Sequence, residues 1–243
     1  DYLLAATASL FPEAAPTREA VQQHYCGVRP LPAAGAARGS PAAVTRRHML
    51  VRHPRAPLPA WSIVGGKLTT CRSLAEQAAA EVLAALGLPV RGSSRDRPLP
   101  GACTGDARAA AVRAAEEAAV HGGFAANEAA AAAERLVGLF GARAAAVFAG
   151  GTPRPGLVRG CGVPLAAVEF CVREEWACRL DDVVERRLML AFDPGLRRET
   201  LADVAGVLAD LGLLPRDRVA AEAAACAAAL LDRHGRRLPG HEG

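Results

Sequence analysis

Apolar residues recur at helical spacing over most of this chain and alternate as in a strand over one short region. Leu68, Cys71, Leu74, Ala75, Ala78, Val82, Leu83 and Leu86 share one face of a 3.6-residue repeat, which predicts a helix over 68–86. Just ahead of it, Trp61–Val64 reads as a strand, and Val44–Val51 alternates as its partner. Together they predict an antiparallel hairpin over 44–64, whose proline-rich connection, Pro54–Pro59, is too long for a tight turn. Residues 1–10 predict a short amphipathic helix ending before Phe11-Pro12, and Thr17 can cap a lead-in over 18–23. Tyr25–Leu31 is strand-like and broken by Pro30, and Pro32–Pro41 reads as an exposed loop.

Gly87 stops the 68–86 repeat, and Pro89–Thr104 has the Gly, Ser, Arg and Pro content of a linker, so the chain divides near residue 100. Beyond that point every periodic segment is helical. The expected helices run from an Asp106 cap to His121, from an Asn127 cap through Leu139, over 141–148, over Leu165–Trp176, over Arg198–Leu211 and over Arg218–His234. Asp181 or Asp182 caps a turn at 183–188, and the tail from Gly235 is expected to fray. On the 165–176 segment, Glu169 and Arg173 read as a surface i,i+4 pair, and Phe170 and Trp176 as core anchors. The class is α+β: a short hairpin and strand–Gly-Gly–helix unit over 1–100, then an all-α domain over 101–243.

Composition narrows the choice. Hydrophobic residues make up 51% and aromatics only 4%, so alanine-rich helices with modest burial per residue are expected. The net charge is +4, and no basic block is interleaved with aromatics, which argues against nucleic acid as a partner. Seven cysteines without a CxxC pair predict reduced thiols in a cytoplasmic setting. No apolar stretch is long enough to span a membrane, and the N-terminus lacks a signal-peptide layout. It opens without methionine, in mid-pattern, and reads as the middle of something longer. His24, His48 and His53 do not share a metal-ligand spacing and read as surface or turn residues.

The candidate chemistry lies where the predicted strand runs through Gly65-Gly66-Lys67 into the helix. Two glycines allow a sharp turn and a close approach of a ligand to the backbone. The first N–H groups of a helix lack internal partners and carry the positive end of its dipole, which suits an electron-rich oxygen. Lys67 adds a full charge, and Thr69 and Thr70 add hydroxyls. Lys67 is also the only lysine in the chain, every other basic residue among the 29 being arginine. An ammonium kept where arginine is the rule points to a place that a guanidinium fork does not serve. The pattern is neither a GxxxxGK[ST] phosphate loop nor GxGxxG, and a plain tight turn at such a junction remains an open alternative.

Gly27-Val28-Arg29-Pro30-Leu31, Thr45-Arg46 and Ser62–Thr70 with Arg72 behind it stand in an order and spacing that resembles the FAD-dependent glycerol-3-phosphate dehydrogenases. Glu169–Glu175, Leu180–Val183 and Arg186-Arg187 are similar to that family's C-terminal helical domain, and the resemblance covers roughly residues 1–215. It implies that sn-glycerol 3-phosphate is oxidised to dihydroxyacetone phosphate by hydride transfer to FAD, with electrons passed on to a quinone or another acceptor. It assigns Arg29, Arg46 and Lys67 to substrate, Arg46 and Lys67 to the catalytic junction, and Gly65, Gly66, Lys67, Leu68 and Thr69 to the flavin. Arginine forks suit a phosphate dianion, and N–H groups or an ammonium suit the charge that builds on a reduced flavin.

The chain departs from that family in lacking the N-terminal GxGxxG fingerprint and most of the substrate domain, and in having Cys71 where an aromatic is common. It is therefore expected to be a C-terminal part, holding half a flavin site and inactive by itself. A cytoplasmic location, peripheral on the inner face of the membrane, and a homo-oligomer are compatible expectations. Two alternatives stand beside this reading. One is a non-catalytic helical interaction module. The other is an FAD oxidoreductase of the amine- and hydroxy-acid-oxidising group, which shares the strand–Gly-Gly–helix device.

Overall fold

The computed structural model describes residues 1–27, 48–90, 92–150 and 154–239. In chain order the elements are α1 (Tyr2–Leu10), β1 (Met49–Arg52), β2 (Trp61–Val64), α2 (Cys71–Ala85), α3 (Gly105–His121), α4 (Ala126–Phe140), α5 (Leu165–Glu175), α6 (Arg198–Asp210) and α7 (Val219–His234). This is the α+β arrangement expected, a two-stranded antiparallel sheet and a C-terminal helical domain. The chain forms two compact units, one of Cys26–Leu99 and one joining Asp1–Tyr25 to the chain from Pro100 onward.

In the smaller unit β1 and β2 pair with Met49 opposite Val64 and Arg52 opposite Trp61. The loop between them is closed by the His53 N–H donating to Ala60 O at 2.9 Å, and the Arg52 guanidinium lies 5.9 Å from the Trp61 ring centroid. The expected strand residues 44–47 and the segments 28–31 and 32–41 lie outside the described residues. A 3-10 turn, Leu68–Thr70, leads into α2. On α2, Arg72 Nη1 donates to the carbonyls of Ser94 and Arg97, the latter at 2.7 Å, and Glu76 Oε1 accepts from Ser93 Oγ at 2.9 Å. The Ser94 N–H also donates to Glu76, and together with the Ser94 and Ser93 hydroxyls it holds that carboxyl below its usual range. These two side chains, one turn apart, fold the 93–97 loop back onto the helix. None of the described residues of this unit is buried. The predicted apolar face of α2 is there, but Leu74, Ala78 and Leu83 are only half-buried and Val82 and Leu86 are exposed.

The helical unit closes its own core. Here α3 packs on α4 and on a 3-10 run, Gly141–Phe148, while α6 packs against α5 and α7. Leu136, Phe170, Leu180, Leu188, Leu201 and Leu230 are fully buried, and the Phe140 and Phe170 rings meet edge-on at 5.0 Å. Ala129, Ala132 and Ala133 on α4 have no exposed surface, so the alanines expected from composition bring α4 close to its neighbours.

Five local readings change. Trp176 is no core anchor: it ends α5 in the left-handed region at φ 59° with its side chain 87% exposed, because the chain must reverse there. Glu169 is buried rather than on the surface; Arg154 Nε meets it at 3.0 Å, closer than Arg173 at 3.6 Å. The residues preceding α3 and α4 are Thr104 and Ala125, neither with a side-chain cap, in place of Asp106 and Asn127. Asp182 does not cap the turn that follows it: its Oδ2 accepts from the preceding N–H groups of Cys178 and Arg179, both at 3.1 Å, and Asp181, which leads into the widened turn Asp182–Arg187, forms no side-chain cap bond. Past α7, Arg236 is buried, donates to Asp193 O at 2.8 Å, and is followed by Leu238 against the core, so 236–238 is packed where fraying was expected.

All seven cysteines are free thiols. Burial, the largest cause in each case, pushes Cys161 up to about 11 and Cys171 and Cys226 up to about 12. At pH 8 a thiol-titrating disulfide reagent is therefore expected to label exposed Cys26, Cys71 and Cys178 promptly. The three buried thiols should respond only once denaturant is added. Fast labelling of Cys171 in the native protein would contradict the core assignment.

Candidate functional site

The turn between β2 and α2 is built as its residue types dictate. Gly65 has φ 72° and Gly66 φ 106°, both in the region that favours glycine. A β-carbon at Gly66 would meet His48 Cβ at 3.5 Å and Leu74 Cδ2 at 3.7 Å, ordinary contacts, so torsion rather than crowding selects glycine there. Lys67 then returns to extended backbone at φ −125° and ψ 152°. Its carbonyl accepts from the Thr70 N–H at 3.0 Å and from Thr70 Oγ1 at 3.1 Å, and Ser73 Oγ donates to Thr70 O at 3.0 Å. These bonds lock the first turn and consume the Thr70 hydroxyl. The N–H groups of Leu68 and Thr69 sit in that first turn, where a helix offers no internal acceptor.

The rim of the turn mixes charge and apolar surface. Lys67 is exposed and forms no ion pair with any acid among the described residues. Leu68 is 88% exposed, and Ile63, on the strand leading in, is exposed as well. Free N–H groups, an ammonium and an exposed apolar edge within one turn suit a flat ligand that is apolar on its face and electron-rich at one border. Among the described residues no cluster of His, Cys, Asp and Glu could hold a metal ion. Among the described residues no helix is long and apolar enough to cross a membrane.

Of the residues expected at the site, Gly65, Gly66, Lys67, Leu68 and Thr69 come together in this turn. Arg29 and Arg46 lie outside the described residues. His48, read from sequence as a surface histidine, flanks the turn: its Cβ faces Gly66 and its Nε2 lies 3.1 Å from Gln77 Oε1 on α2. The hairpin register carried that signal, since pairing Met49 with Val64 sets residue 48 opposite Gly65.

Residues 93–213 match the family described as the C-terminal domain of alpha-glycerophosphate oxidase. The helical part of this chain belongs to that family. The chain is also 33% identical over 199 residues to a glycerol-3-phosphate dehydrogenase of Synechocystis, which covers 79% of this chain and 34% of that protein. It is 31% identical over 184 residues to glycerol-3-phosphate dehydrogenase 1 of Mycobacterium bovis, covering 73% of this chain and 32% of the relative. D-erythritol 1-phosphate dehydrogenase of Brucella abortus is 31% identical over 197 residues, with 77% and 36% covered. The chain thus spans about a third of the length of the curated relatives it matches. A continuous match over 79% of the chain necessarily includes the turn at 65–70, so the similarity extends from the alpha-glycerophosphate oxidase C-terminal domain into the smaller unit.

Proposed function

We propose that this chain is the C-terminal part of an FAD-dependent glycerol-3-phosphate dehydrogenase and contributes one edge of its flavin and substrate site. The observation that carries the reading is the Gly65–Thr69 turn, with its positive-φ glycines and exposed Lys67 on the rim, inside the region matched by dehydrogenases of polyol phosphates. The residues fit a flavin edge. The glycines leave the backbone accessible, the Leu68 and Thr69 N–H groups fall in the first turn, where a helix offers no internal acceptor, and Ile63 and Leu68 supply exposed apolar surface. FAD, when bound, would supply the acceptor for the hydride of C2 of sn-glycerol 3-phosphate, and with the C2 hydroxyl proton passing to a base or to water the product would be dihydroxyacetone phosphate.

This chain's own residues provide charge and position. The first-turn N–H groups and the Lys67 ammonium stabilise negative charge that develops at the adjoining ring edge. Lys67 also attracts the anionic substrate, with Arg29 and Arg46 as the bidentate phosphate ligands. Electron delivery to a quinone, a cytoplasmic location against the membrane surface and homo-oligomerisation belong to the same proposal. By itself the chain should bind flavin too weakly to register, or not at all, and turn nothing over, because its smaller unit buries none of its described residues.

The test is a flavin titration of this chain alone and mixed with the N-terminal part of the Synechocystis relative, following the flavin absorbance band with and without glycerol 3-phosphate. Binding is expected only in the mixture, with bleaching on addition of substrate. Lys67→Ala should slow that bleaching about 100-fold, the scale of losing one preorganised charge-stabilising donor. If no flavin binds in either arm and Lys67→Ala changes nothing, the site reading fails. A non-catalytic helical module is then the better description, favoured by one observation: the helical unit packs a complete core of its own.

A further inference from the structure

Two charged side chains are buried among the described residues, and only one of them is answered by opposite charge. Glu169 has Arg154 and Arg173 beside it. Arg236, just past α7 and 6% exposed, forms no ion pair with any described acid. Its Nη2 donates to Asp193 O at 2.8 Å, its Nε is sealed from solvent without an acceptor, and its Nη1 donates to no described group. A guanidinium carries five N–H donors and a permanent charge, and a buried charge is ordinarily paired. The surroundings do not neutralise it. The Asp193 carboxylate is engaged elsewhere, pairing with Arg135 through Oδ2 and accepting from the Gly195 N–H at 2.8 Å through Oδ1. The carbonyls at the end of α7 are taken as well. Leu231 O accepts from the Gly235 N–H at 2.9 Å, Leu230 O from the N–H of Arg236 itself at 3.2 Å, and His234 O from the His24 N–H at 2.8 Å.

Arg236 lines an open cavity of about 1100 Å³ between the N-terminal segment and the end of α7. Arg237 lines it too, is exposed, and forms no ion pair with a described acid. Arg18 and Asp1, also on the lining, answer each other at 2.8 Å. Glu19 is the one other acid there; its own backbone N–H and the Thr17 hydroxyl hold its carboxyl below the usual range, and it pairs with neither Arg236 nor Arg237. We propose that this cavity is an anion site for a phosphate monoester, with Arg236 as its buried anchor and Arg237 as the second cation. Two guanidinium charges match a phosphate dianion, where a carboxylate leaves one of them unanswered. A bare phosphate fills little of the volume, and Leu3, Leu4 and Val21 offer an apolar wall to an organic substituent. No residue of the Gly65–Thr69 turn lines this cavity, so the site does not depend on the flavin reading.

Calorimetric titration of the full chain at low salt with phenyl phosphate, inorganic phosphate and benzoate tests the site. Phenyl phosphate is expected to bind most tightly, and inorganic phosphate less so because it lacks the apolar body. Benzoate, with one charge fewer, should bind about tenfold or more weakly than phenyl phosphate. Arg236→Met, which keeps the apolar stem and removes the charge, should weaken phenyl phosphate binding about tenfold to 100-fold. Arg237→Gln, at an exposed position where folding is not at stake, should weaken it about threefold to tenfold and serves should Arg236→Met misfold. Lys67→Ala, at the turn assigned to flavin, should leave the affinity unchanged, which separates failure of this site from failure of that one. Absence of binding by all three anions up to about 10 mM, benzoate as tight as phenyl phosphate, or an affinity untouched by Arg237→Gln or lowered by Lys67→Ala would each overturn the assignment.

Discussion

Replacing Gly141 by alanine is expected to cost about 3–5 kcal/mol and to lower the melting temperature by about 10 °C. Gly141 ends α4 at φ 57° and ψ −133°, a conformation in which an L side chain is strained by roughly 1–3 kcal/mol on torsion alone. Space is the harsher constraint. A β-carbon there would overlap the Gly101 carbonyl oxygen and stand 2.7 Å from the Gly101 carbonyl carbon. That same carbonyl accepts from the Ala142 N–H at 2.9 Å, so it cannot move aside without losing its bond. Gly101 is pinned in turn, because its own β-carbon would fall 2.5 Å from Phe140 O. Two backbones thus cross at contact distance where the chain enters the helical unit. Gly138, on α4, provides the control, since a β-carbon there would meet nothing within 4 Å. Gly138→Ala should be neutral or stabilising by about 0.5–1 kcal/mol, the helix-interior glycine effect. Thermal unfolding of both variants separates a close crossing from a general intolerance of change in α4. Equal melting temperatures for the two would refute the crossing argument.

What was legible in the sequence was local. The β2–Gly-Gly–α2 device could be read because strand pattern, glycines, lysine and helix period all lie within ten residues or so of one another. The helices beyond residue 100 could be read because each carries its own repeat and stop, such as Gly122 after α3 and Gly212 after α6. Trp176 and Glu169 were misplaced for a different reason: their burial is decided by distant partners. A Trp on an alanine-rich segment suggests a core residue, but it falls at the reversal that ends α5, where side chains turn outward. Glu169 and Arg173 at i,i+4 suggest a surface pair, but Arg154, fifteen positions earlier, and Asp210 on α6 draw the charges inward. No periodicity reports the bond from His24 to His234, whose separation along the chain is 210 residues. The site was legible as a turn and a charge. Its arginine half, Arg29 and Arg46, rests on the family resemblance.

Arg154→Ala is the second change expected to have a large effect, about 3 kcal/mol of stability at neutral pH. Arg154 sits between two acids, with Nε 3.0 Å from Glu169 Oε2 and Nη1 2.7 Å from Asp210 Oδ2, and its own side chain is 19% exposed. The hydrogen bond to Asp210 is the main cause that raises the Arg154 guanidinium above its ordinary value, and the same bond is the main cause that lowers Asp210. Asp210, a third exposed, keeps Arg216 at 2.6 Å and solvent when Arg154 goes, so losing its main partner strands it less than it strands a buried acid. Glu169 loses much more. Its side chain is 7% exposed, and among the described residues the one remaining cation is Arg173 at 3.6 Å. An under-compensated buried charge typically costs 3–5 kcal/mol, and the surviving Arg173 places this case at the lower end. Removing the charge should therefore undo the damage: Arg154→Ala with Glu169→Gln is expected to recover at least half of the loss, although it has one more substitution. The pH response distinguishes the same two acids. Asp210 has a lowered folded value, so its contribution is complete above the ordinary carboxylate range and is lost as pH falls through the folded value, below about pH 4. In Arg154→Ala that acid-side loss should shrink. Denaturant unfolding of the wild type, the single variant and the double variant at pH 7 and pH 3.5 measures all of these terms. A double variant less stable than Arg154→Ala would show that the cost comes from lost arginine packing and not from a stranded carboxylate.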